Sequence, residues 1–83
     1  MNVIFKNETH QKVEVFIEPS TDEFILKPND EIKIIYESLI DVTEIITSYS
    51  GNGIIVIYLP NSTKGTIFIN NIHVDSLTEA QYW

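Results

Sequence analysis

Apolar residues recur at every second position through most of this chain, the period that lines up one row of side chains on one face of a pleated strand. The run at 12–18 is the clearest case: Val13, Val15 and Ile17 share one face, and Glu14, Phe16 and Glu18 share the other. Strands are predicted on the same grounds at 3–5, 24–26, 31–36, 66–69 and 72–74, and a β-branched stretch at 42–49 reads as a further one. There the pair Ile45-Ile46 interrupts the alternation, so a bulge or burial on both faces is expected. The unbroken apolar run from Ile54 to Leu59 predicts a central strand covered on both faces; its shortness, β-branching and flanking Gly53 and Pro60 argue against a helix.

The breaks between these runs carry turn chemistry. Ser50-Gly51-Asn52-Gly53 and Asn70-Asn71 tolerate the positive φ of hairpin turns, and Lys27-Pro28-Asn29-Asp30 has proline preset at the second position. Ser76 and Glu79 have the spacing of a capping box, which predicts one short C-terminal helical turn ending near Tyr82. Seven to eight short strands with no long amphipathic helix define an all-β fold. We expect a small antiparallel β-sandwich over residues 1–83 as one domain, with a small barrel as the alternative.

At 83 residues the chain buries only about 60% of the surface its unfolded form exposes. It has no cysteine and no cluster of cysteine and histidine, so apolar packing must stabilise it, with self-association into a homo-oligomer as a further aid. The net charge of −7, from twelve carboxylates against five lysines with no arginine, repels phosphate backbones and excludes nucleic acid as a direct partner. The first residues lack the basic region and apolar core of a leader, and the longest apolar run falls far short of the roughly 20 residues a membrane span needs. A cytoplasmic protein without membrane contact is therefore expected.

Catalytic candidates are sparse. His10 and His73 lie in different elements, a metal site would need both plus a carboxylate such as Glu8 or Asp75, and no serine sits in a Gly-x-Ser-x-Gly elbow. Glu14 with Glu18, or Asp30 with Glu31, reads as solvated surface, and Gly51-Asn52-Gly53 lacks the length of a phosphate loop. The acidic loop pieces lack calcium-loop spacing. No enzyme, cofactor or metal is expected.

Surface remains. With the alternation as assigned, Phe16, Ile35 and Phe68 point outward, to be covered either by the second sheet or by another chain. Tyr82 and Trp83 either close against the sheet or form an exposed tag, so these five residues are the expected interface. Three segments, Phe5-Lys6-Asn7-Glu8-Thr9, Val15-Phe16-Ile17-Glu18-Pro19 and 24–31 (Phe24-Ile25-Leu26-Lys27-Pro28-Asn29-Asp30-Glu31), together resemble a pattern in small uncharacterised bacterial β-domain proteins. That pattern runs from a strand ending in Glu-Pro and an aromatic, through an aromatic-x-leucine strand, to a Pro-Gly-Asp/Glu turn. Ser20 stands here in place of the aromatic and Asn29 in place of the glycine. The resemblance covers about two-fifths of the chain, implies a compact bacterial β-domain and transfers no site residue.

Together these features point to a non-catalytic acidic interaction domain, such as an inhibitor or immunity-type protein that binds a basic protein partner. The alternative is a small-ligand or carbohydrate-binding sandwich with Tyr36, Tyr49, Tyr58 and Trp83 as stacking platforms.

Overall fold

A computed structural model describes residues 1–41 and 44–83. Its eight strands are β1 (Asn2–Lys6), β2 (Val13–Glu18), β3 (Asp22–Leu26), β4 (Glu31–Ser38), β5 (Ile46–Tyr49), β6 (Ile54–Tyr58), β7 (Thr63–Ile69) and β8 (Ile72–Val74). They form two open four-stranded sheets, ordered β1-β4-β7-β8 (sheet I) and β3-β2-β6-β5 (sheet II), so the expected sandwich is what forms. The chain crosses between the sheets repeatedly. β6 thereby enters beside β2 in the same direction, and this pair is parallel while every other pairing is antiparallel.

Alternation builds the core. Ile32, Ile34 and Ile67 of sheet I meet Val13, Val15, Ile17, Leu26, Ile55 and Ile57 of sheet II, with Leu59 just beyond β6. Each such side chain stabilises the fold by about 1.5–3 kcal/mol relative to exposure.

Several local expectations change. β6 is an inner strand, but only Ile55 and Ile57 are buried; its other face is open, leaving Tyr58 44% exposed, because no third layer lies over sheet II. β5 starts at Ile46, and Val42 and Thr43, included in the expected strand, lie outside the described residues. Ile45 packs on the core just before β5 while Ile46 opens the strand on the outer side, so the pair needs neither a bulge nor burial on both faces. β7 begins three residues early, at Thr63, because β4 runs on to Ser38 and gives Thr63, Lys64 and Gly65 partners.

The turns follow their chemistry. Asp30 N donates to Lys27 O across a turn in which Asn29 takes φ 71°, the glycine-like position of a type II turn. Asn70 and Asn71, at φ 52° and 65°, make the primed turn joining β7 to β8. Gly51 and Gly53, at 88° and 71°, shape the β5–β6 connection.

No helix forms among the described residues; the C-terminal segment folds as a hydrogen-bonded turn, with Ala80 N donating to Leu77 O. Half of the capping box is present, Glu79 N donating to Ser76 Oγ at 3.2 Å, but the Glu79 carboxylate turns instead to His73. Asp22 caps the first amides, Leu77 N donating to Oδ1 at 3.0 Å and Thr78 N to Oδ2 at 2.7 Å, but Thr78 O and Trp83 N pair with Gly65 and Thr63 of β7 instead of continuing a helix. Thr78 is fully buried, its hydroxyl also donating to Asp22 Oδ2. Ser20 Oγ lies 2.6 Å from the Thr78 hydroxyl and 3.3 Å from Ile17 O, extending this buried cluster to the β2–β3 connection.

On the other side Thr78 O accepts from Gly65 N at 3.1 Å. A Cβ on Gly65 would come 2.9 Å from Ile34 Cγ2 and 3.3 Å from Thr78 Cγ2, so glycine leaves the space that Thr78 fills. Thr78 thus links β3 of sheet II to β7 of sheet I. Replacing Asp22 with alanine strands two amide donors and a hydroxyl in a buried setting. It should lower stability by about 3 kcal/mol, seen as a lower urea midpoint with unchanged slope.

Candidate functional site

Because β2 buries Val13, Val15 and Ile17, its alternate residues stand on the outer face of sheet II, and register extends them into rows. Ile25, Glu14 and Ile54 form one row; Glu23, Phe16, Val56 and Ser48 the next; Glu18, Tyr58 and Ile46 the third. The face is thus an apolar surface, with Ile25, Ile46 and Tyr58 at 53%, 60% and 44% exposure, broken by carboxylates and Ser48. The four strands of sheet II contain four acidic residues and no lysine.

The outer face of sheet I carries charges of both signs. Ile4, Lys33, Phe68 and His73 form one row, and Asn2, Ile35 and Thr66 another. Its strands hold three of the five lysines, Lys6, Lys33 and Lys64, beside Glu31 and Glu37. The Lys33 ammonium lies 5.6 Å from the Phe68 ring centre, and His73 meets the same ring edge-on at 5.9 Å. Lys64 lies 5.5 Å from the Tyr82 ring, whose hydroxyl donates to Glu37 Oε1 at 2.9 Å; that bond raises the Tyr82 pKa above its usual value.

The five residues expected to form an interface therefore do not share one surface. Phe16 belongs to the outer face of sheet II, Ile35 and Phe68 to that of sheet I, and Tyr82 to the rim of sheet I. The second sheet covers none of the three outward residues, since it packs on the opposite side of each strand. Trp83 is tethered: its backbone N donates to Thr63 O at 3.0 Å and its indole Nε1 to Leu77 O at 2.9 Å. Reading residues singly missed Ile25, Ile46, Ile54, Val56 and Tyr58, which become one surface only when β3, β6 and β5 flank β2. The signal was present in the alternate residues Ile54, Val56 and Tyr58 of the 54–59 run.

Of the four tyrosine and tryptophan platforms, Tyr36 packs against the core, Tyr58 stands on the outer face of sheet II and Trp83 is tied to Leu77. Tyr49 lines a cleft at the end of the sandwich that also holds His10, and Tyr58 borders a second, smaller one beside Ile46 and Leu59. His73 sits apart on β8, 2.6 Å from Glu79 Oε1, and no metal-binding group of histidines and acids occurs among the described residues. No described helix is long and apolar enough to cross a membrane.

The arrangement defines an open two-sheet β-sandwich with one apolar-acidic outer face and one of mixed charge. No family model matches this chain, and neither does any curated protein or solved structure compared with it.

The Glu79 carboxylate, by its hydrogen bond and then its charge with that of Asp75, holds the His73 pKa above its ordinary 6.5. The pair's contribution is full below the unfolded-state value and is lost as pH rises through the elevated one. Proton NMR titration should give His73 a midpoint above 6.5 in the native protein and a lower one after Glu79→Gln.

Proposed function

We propose that this chain is a non-catalytic interaction domain that docks a basic protein through the outer face of sheet II. The observation carrying this reading is the composition of that face: Phe16, Val56 and Tyr58 at its centre, with Glu14, Glu18 and Glu23 as the charged side chains that its strands place there. An exposed apolar centre drives association, and carboxylates of one sign steer a partner of the other and reject acidic surfaces. Such a partner presents an apolar patch ringed by lysine or arginine. An enzyme whose own substrate is anionic fits that description, which makes the domain an inhibitor or immunity-type antagonist that occludes a basic active-site surface. The setting assigned to it is the bacterial cytoplasm, in keeping with the resemblance of residues 3–36 to small bacterial β-domains, and catalysis has no part in the reading.

The test compares the native protein with a Glu14→Lys, Glu18→Lys double variant and, separately, Tyr58→Ser. Partner captured from native lysate is purified and titrated against each by calorimetry. Charge reversal should weaken the complex by at least about tenfold, and raising salt from about 50 to 500 mM should weaken the native complex while hardly affecting the reversed one. Tyr58→Ser should weaken it at every salt concentration. Affinity indifferent to salt and to all three substitutions would overturn the proposal, as would mass measurements showing that this face pairs only with a second copy.

A further inference from the structure

At the end of the sandwich opposite the Thr78 link, the inner faces of the two sheets part. The gap is an open cleft of about 930 Å³ between the β1–β2 loop and the β5–β6 turn, within the size range of small-molecule sites. Its floor continues the core: Phe5 from sheet I, and Val13, Tyr49 and Ile55 from sheet II. Tyr49 is the informative residue. It pairs with Ile55, which is 5% exposed, and so stands on the inward side of β5, yet it is itself 63% exposed. An aromatic side chain therefore occupies a core-facing position that the described residues leave largely uncovered.

The walls are built rather than loose. Asn7, 1% exposed, donates through Nδ2 to Gln11 O at 2.8 Å and to Leu26 O at 3.1 Å, and its Oδ1 accepts from Thr9 N and Thr9 Oγ1. These bonds fix the loop that carries Glu8, His10 and Lys12. Opposite, Gly53 O accepts from Glu14 N at 2.8 Å, and a Cβ on Gly53 would lie 3.4 Å from Lys12 O, so the glycine turn is pinned against the loop's end. A site whose walls are already ordered does not lose that ordering entropy when a ligand binds.

Charge selects the ligand. Lys6, at an outward position at the end of β1, and Lys12, both exposed, stand at the rim of the cleft with Glu8 as the one carboxylate among its lining residues, two lysines against one acid on a chain whose net charge is −7. We propose that this cleft binds a small amphipathic anion, an aromatic or aliphatic body seated on Tyr49 and Phe5 and carrying an acidic group held by Lys6 and Lys12. The site is separate from the outer face of sheet II and stands or falls independently of any partner there.

Amide NMR titration with indole-3-acetate, tryptamine and N-acetylglucosamine distinguishes the possibilities by charge. Indole-3-acetate should shift resonances confined to residues 5–13 and 49–55 and bind at least about tenfold more tightly than tryptamine, which has the same ring and the opposite charge. Tyr49→Ser should weaken it by about tenfold or more, and Lys12→Glu should remove the preference for the anion. Both positions are exposed, so resonances elsewhere should stay in place and report an intact fold. Any one of three results overturns the proposal: no shifts up to about 10 mM ligand, equal binding of acid and amine, or shifts at the cleft from the neutral sugar alone.

Discussion

The buried contact set of Thr78 is the constraint on which the arrangement of the two sheets depends. Apolar packing between sheets is strong but non-directional, and it would tolerate sliding of one layer over the other. Thr78 removes that freedom, because its amide and hydroxyl donate to Asp22 on one sheet while its carbonyl accepts from Gly65 on the other. The geometry requires a small, doubly hydrogen-bonding side chain, a carboxylate at the start of β3 and no side chain at position 65. With Trp83 N bonded to Thr63 O, the same segment lies along the stretch of β7 that β8 is too short to cover. An otherwise open backbone edge is thereby closed.

A two-layer domain of this size cannot hide its outer faces, and here the faces are differentiated. Sheet II gathers carboxylates around an apolar centre, and sheet I sets lysines among glutamates. The separation falls along strands because charges at alternate positions of neighbouring strands add up across the register. Lysine also partly covers apolar surface on sheet I, where Lys33 lies over Phe68. Sheet II has no such cover. This asymmetry makes it the stronger candidate for a docked partner.

The fold was largely legible in the sequence because period-two alternation and turn chemistry are local properties. Val13, Val15 and Ile17 on the inner face of β2, the asparagine turn at 70–71 and the glycine turn at 51–53 all follow from residues within a few positions of one another. What escaped was set by distant residues. The 76–79 box does not continue as a helix because Thr78 O and Trp83 N pair with Gly65 and Thr63 of β7, more than ten positions earlier. The open face of β6 reflects the absence of a third layer, which no local pattern encodes. The candidate docking face was half legible: Phe16 was found from alternation, but Ile25, Val56 and Tyr58 join it only through a parallel pairing that no hairpin signal announces.

That parallel pair has a kinetic meaning. Neither sheet is a continuous segment: sheet I takes the first, fourth, seventh and eighth strands, and sheet II the second, third, fifth and sixth. Glu14 meets Ile54 only after the chain has traversed the opposite layer, a separation of about forty residues. Neither layer can be completed as an autonomous subdomain, so the halves must assemble in concert through contacts remote in sequence. Such topologies lie toward the slow end of the range for small two-state domains, and a nascent chain would leave β2 without its inner neighbour until β6 had emerged.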